Sequence, residues 1–203
     1  MNLYIANSPI CLYCTICDLE IVMTVRDMER LLATFGISPS LLDQISRRLR
    51  EDGRIPNAGR GATAPDIGPR EVTLILLALA GSEVAARPRI ALARLALLEI
   101  EADGPPRHAR GFIPAVEALL SNAANAGSVA EIRVGRGDCA SSIVYDDGHV
   151  ERFVPADRPK PPVLHTEGVI WGGLIGELEI EMSSARNSCA PAPLEYASVE
   201  DAG

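Results

Sequence analysis

Cys11, Cys14 and Cys17 are spaced C-x2-C-x2-C, a pattern found in iron–sulfur proteins, whose clusters are held by cysteine thiolates. A cluster needs a fourth ligand, and none follows at a suitable spacing. Cys139 and Cys189 bring the total to five, an odd count that does not suggest a disulfide framework. His149 lies near Ser141, Ser142, Asp146 and Asp147 in sequence, residue types that nucleophilic catalysis would bring into contact. A hairpin turn followed by a histidine accounts for them more simply. His108, His149 and His165 are too scattered for a zinc site. Arg136-Gly137-Asp138 reads as a turn between strands. Gly59-Arg60-Gly61 and Gly135-Arg136-Gly137 lack the Lys-Ser/Thr of a phosphate loop. Gly172, Gly173 and Gly176 beside Trp171 mark a bend or close packing. These residues point to no enzyme, no cofactor and no metal.

A different chemistry lies between residues 39 and 60. At about 100° per residue, a helix here puts Leu42, Ile45 and Leu49 on one face and Ser40, Gln44 and Arg47 on the other, flanked by Asp43. A glutamine amide matches adenine, and a guanidinium matches guanine. Arg48, Arg50, Arg54 and Arg60 suit phosphate contacts, which set register without reading sequence. Asn57 joins Arg54 and Arg60 among glycines that allow close backbone approach, and an arginine there could enter a narrow minor groove. The net charge of −8 would repel nucleic acid, but its distribution is uneven. Residues 23–70 hold eight arginines against six acids, whereas residues 71–203 hold eleven basic and nineteen acidic side chains. The acidic remainder would limit non-specific binding.

The elements that must position these side chains follow from local signals. Thr24 caps a helix to Thr34, with Asp27 three residues on and Val25, Met28, Leu31, Leu32 and Phe35 as its apolar stripe. Gly36 ends it. Ser38 caps a second helix, with Pro39 at its first position, running to Asp52 and stopping at Gly53. Residues 53–70, rich in Gly, Pro and Arg, read as a hairpin or extended wing. An apolar helix spans 71–80, a fourth 88–102 and a fifth 113–126. Strands are expected at 130–134, 140–145 and 149–154, with Asp147-Gly148 as a two-residue hairpin signal. Four prolines between 155 and 162 read as a stiff linker. Alternating apolar residues and glutamates over 174–182 read as a strand, with a helix as the alternative. The fold class is α+β: an N-terminal winged helix-turn-helix, a helical middle and a small antiparallel sheet in the C-terminal part. The expected divisions are an extension at 1–22, a DNA-binding domain at 23–82, a dimerisation or partner domain at 83–182 and a disordered tail at 183–203. Met23 opens a better-formed helix start than Met1, so residues 1–22 also read as a mis-assigned start.

The order of helix, glycine turn, helix, Gly–Arg segment and apolar helix resembles that of MerR-like and excisionase-like winged-helix proteins, and broadly of phage regulators. The resemblance covers roughly residues 23–82. It implies a sequence-specific transcription regulator, of phage or mobile-element type, whose partner is double-stranded DNA. The aromatic-rich segment that MerR-like proteins carry after the second helix is absent, so inducer binding is not implied. A single module reads few base pairs, so a homodimer is expected, with helices 71–80 and 88–102 as its surface. The alternatives are a phage assembly or DNA-packaging adaptor, or a protein-binding factor using a winged helix as its interaction surface. The chain has no run of about 18 apolar residues for a membrane span and no basic residue ahead of its first apolar stretch for a secretory signal, so a cytoplasmic location is expected.

Overall fold

The computed structural model describes residues 23–57, 64–82, 87–101, 105–136, 140–157 and 166–188. Strand β1 (Met23–Thr24) leads directly into helix α1 (Val25–Thr34). The Thr24 hydroxyl accepts the Asp27 N–H at 3.2 Å, and the Asp27 carboxylate accepts the Thr24 N–H at 3.4 Å, so the capping box forms. Gly36 then takes φ 82°, a left-handed turn conformation that strains other residues. Helix α2 (Pro39–Glu51) follows. Pro39 sits at its first turn, but Ser38 caps by position alone, since its side chain makes no capping hydrogen bond. Gly53, at φ 66°, ends the helix.

Of the segment 53–70, read as a hairpin or extended wing, residues 58–63 lie outside the described residues; at its end strand β2 (Asp66–Ile67) pairs back onto β1. Helix α3 (Pro69–Gly81) starts with proline in its first turn, and the Glu71 carboxylate accepts the Gly68 N–H at 3.0 Å. Its residues from Val72 to Ala78 are all buried, as an all-round apolar sequence requires. Helix α3 packs against α2, helix α4 (Pro88–Leu95) and helix α5 (Phe112–Leu120), and α4 also meets α2. One hydrophobic core runs from Met23 to Met182 without a break at residue 82. Helix α3 is buried in its own chain's core along almost all of its length, so it offers at most the flank at Leu79 to a second copy, not the whole surface expected of it.

Beyond α4 lies a five-stranded antiparallel sheet, ordered β3-β6-β5-β4-β7: β3 (Leu98–Ile100), β4 (Val129–Gly135), β5 (Ser141–Tyr145), β6 (Val150–Pro155) and β7 (Glu167–Trp171). Strands β4, β5 and β6 lie where the alternation predicts them. Gly148 turns the β5–β6 hairpin at φ 82°. The inner face carries Ile132, Val134, Ile143, Phe153 and Ile170, covered by α3, α5 and helix α7 (Gly172–Ser188). The outer face carries Arg133, Arg152, Val169 and Trp171, all exposed.

Four local readings are corrected. The helix expected over 88–102 stops at Leu95. Glu99 and Ile100 instead pair with Val154 and Phe153, so sheet pairing overrides the helix propensity of this stretch. The helix expected over 113–126 breaks at Ser121–Asn122 before the short α6 (Ala123–Ala126). There the Asn122 side chain accepts the Ala124 N–H at 2.9 Å, a local bond that competes with helix continuation. The strand expected over 174–182 is α7. Leu174, Ile175, Leu178 and Met182 are buried at helical spacing, while Glu177, Ile180 and Glu181 face out. The tail expected to lack structure from Ser183 is helical to Ser188. Among the described residues, no helix is long and apolar enough to cross a membrane.

Candidate nucleic-acid interface

Helix α2 is held by its buried stripe: Leu42, Ile45 and Leu49 are at most 1% exposed. They pack it against α1 and α3. The stripe leaves the opposite face open, with Ser40, Gln44, Arg47 and Arg48 all exposed. Ser40, Gln44 and Arg47 therefore share one helix face, as their spacing predicts. Gln44 Nε2 donates to Ser40 Oγ across a long 3.5 Å contact. Arg47 pairs with Asp43 at 2.7 Å, and Arg48 with Glu51 at 2.7 Å. All four charged side chains are more than half exposed, so each pair is worth only about 0.3–0.5 kcal/mol. A phosphate or a guanine edge could replace either carboxylate at little cost.

The other expected contacts are distributed differently. Arg50 turns away from that face toward Glu29 of α1, 3.9 Å away, with the two side chains 20% and 26% exposed. It joins α1 to α2 and is poorly placed as a phosphate anchor. Arg54 is partly exposed just past Gly53, and Asn57 is exposed. Arg60 lies outside the described residues. Sequence reasoning also missed Arg87 and Arg89, which are exposed on α4 and its cap. Helix α4, about forty residues further along the chain, packs against α2, and no local pattern signals that neighbourhood.

The grouping around His149 does not assemble as a catalytic set. Ser141 is buried and its hydroxyl accepts the Gly135 N–H at 3.1 Å. Ser142 lies on the opposite sheet face. The ring of His149 stands 5.7 Å from that of Tyr145. What assembles instead is a staple for the loop before α5. The buried carboxylate of Glu151 accepts the Arg107 N–H and the Tyr145 hydroxyl, both at 2.7 Å. The Arg107 guanidinium lies 4.4 Å from the Tyr145 ring centre and pairs with Asp147 at 2.6 Å.

This staple makes stability depend on pH. Burial lowers the pKa of His108 below its ordinary 6.5. The unfolded chain therefore takes up that proton first, and stability falls as pH drops below about 6.5. Burial, then the hydrogen bond to Glu151, raises the Tyr145 pKa above its ordinary 10.0. The folded chain keeps that proton after the unfolded chain loses it, so stability falls as pH rises past 10. Melting temperature against pH should therefore peak between these limits. Tyr145→Phe should flatten the alkaline limb and His108→Gln the acid limb. Limbs unchanged in both variants would show that neither group couples to folding.

Among the described residues, no group of three or more His, Cys, Asp or Glu side chains could hold a metal ion. Cys11, Cys14 and Cys17 lie outside them. No family model matches the chain, and neither a curated protein nor a solved structure matches it.

Proposed function

We propose that the chain is a sequence-specific DNA-binding transcription regulator that places α2 in the major groove. One observation carries this reading: a glycine-turned helix pair presents Ser40, Gln44 and Arg47 on a face left exposed among the described residues. In this reading Gln44 and Arg47 read base edges. Arg48 and Arg54 hold phosphates, and the segment 53–70 acts as the wing. The finer expectations of a phage or mobile-element origin, a homodimer and a cytoplasmic location belong to the same proposal.

Selection from a randomised duplex library tests it. The full chain should enrich a short motif, with adenine and guanine at fixed positions opposite Gln44 and Arg47. Recovery of unbiased sequence would contradict the reading. A second reading, a factor that binds protein, is favoured by the exposed apolar side chains Phe35 and Leu41 at the turn and the start of α2.

A further inference from the structure

The geometry points to a self-association surface: the apolar groove between the α1–α2 turn and β7, filled by Trp171 from a second copy of this chain. The groove has a volume of about 560 Å³. Phe35 and Leu41 of the turn and α2, Leu76 and Leu79 of α3, and Val169 and Trp171 of β7 line it. Trp171, the chain's single tryptophan, is 74% exposed, Phe35 and Val169 are each 48% exposed and Leu41 is 37% exposed. So many exposed apolar side chains on one patch mark a binding surface more often than a solvated one.

Three features select a second copy as the occupant. A two-fold interface uses the same patch on both subunits, so a projecting side chain and a receiving groove must lie side by side. Here Trp171 stands on the rim of the groove itself. Among the described residues, strand β7 is also the edge of its sheet, pairing with β4. Proteins commonly cover such edges. The third feature is area. Scaling full side-chain areas of roughly 150–250 Å² by these exposures gives on the order of 400 Å² of apolar surface per copy. The pair then buries about 800 Å² from these four residues, half of the roughly 1,600 Å² of a standard interface, with the strand edge and the groove rim to add. An interface of that size belongs with the weak, transient ones. Arg136 lines the groove with Nε donating to the Ala80 carbonyl at 3.0 Å, so this nitrogen is already engaged at the C-terminal end of α3.

The surface does not depend on the DNA-binding reading, and its test uses no DNA. Sedimentation of the full chain from about 1 to 100 µM should show a monomer–dimer equilibrium. Tryptophan emission should move to shorter wavelength with the same midpoint, because Trp171 is the sole reporter. Val169→Glu and Phe35→Ser alter exposed side chains and should each weaken association by about tenfold or more, with unchanged circular dichroism. A monomer throughout this range would overturn the proposal. Association that persists in both variants, or an emission shift independent of concentration, would overturn it too.

Discussion

Gly172→Ala is expected to destabilise the fold by on the order of 3 kcal/mol or more, whereas Gly173→Ala should stabilise it by about 0.5–1 kcal/mol. A Cβ at Gly172 would overlap the carbonyl oxygen of Val129 and lie 2.6 Å from its carbonyl carbon. Both atoms are backbone at the start of β4, and Gly172 is the first residue of α7. Neither can yield without moving a helix or a strand next to the core. The neighbouring Gly173 has nothing within 4 Å of its would-be Cβ. An alanine there only reduces the freedom of the unfolded chain. For a chain of this size, each kcal/mol moves the melting temperature by about 2–4 °C. The two variants should therefore melt about 10 °C apart or more. Equal melting temperatures would show that α7 does not start against β4 as described. Gly168 is held by the same constraint: its Cβ would collide with the Ala80 backbone at the end of α3.

On the sequence that selection enriches, Gln44→Ala and Arg47→Ala should each weaken binding by about 1–3 kcal/mol, roughly five- to 150-fold. Their affinity for unrelated duplex should change far less. Arg48→Ala should weaken both alike, because a phosphate contact carries no sequence information. Removal of Arg47 frees Asp43, an exposed carboxylate on the same face. Part of the loss then comes from repulsion, and the double change Asp43→Asn with Arg47→Ala should recover that part. Competition measurements by fluorescence anisotropy separate the two classes. If all three single variants lost affinity equally on specific and unrelated duplex, α2 would not be the reader.

The elements set by short-range chemistry were legible in the residues. Thr24 with Asp27, Gly36, Gly53 and Gly148 all have local causes, either a capping box or a left-handed backbone position. The stripe of Leu42, Ile45 and Leu49 correctly separated the buried from the open face of α2. What local pattern missed was set by distant partners. Leu98–Ile100 is a strand because β6 lies beside it, and no feature of Leu-Glu-Ile announces that. Over 174–182 the glutamates at every second position imitate a strand. The buried set Leu174, Ile175, Leu178 and Met182 has helical spacing, and β4 and β7 supply the surface it packs on. The glycines beside Trp171 were read as a bend or close packing, and Gly172 shows the close packing and its partner, the Val129 carbonyl. For the candidate interface, periodicity brought Ser40, Gln44 and Arg47 together. It did not separate Arg50, whose role depends on Glu29 of another helix, nor gather Arg87 and Arg89 from α4.

The central claim, that the α1–α2 unit engages DNA through exposed arginines, is tested most directly by salt. The measurement is fluorescence anisotropy of a labelled duplex of arbitrary sequence, titrated with the full chain as salt rises from about 50 to 200 mM. The account expects non-specific binding with a dissociation constant of roughly 1–100 µM near physiological salt, and tighter at the low end. Log affinity should fall linearly with log salt, with a slope of about −2 for the two phosphates held by Arg48 and Arg54. Arg48→Ala should make that slope shallower by about one unit. An anisotropy that stays flat at about 50 mM salt with protein up to about 100 µM, or binding that is indifferent to salt, would contradict the account.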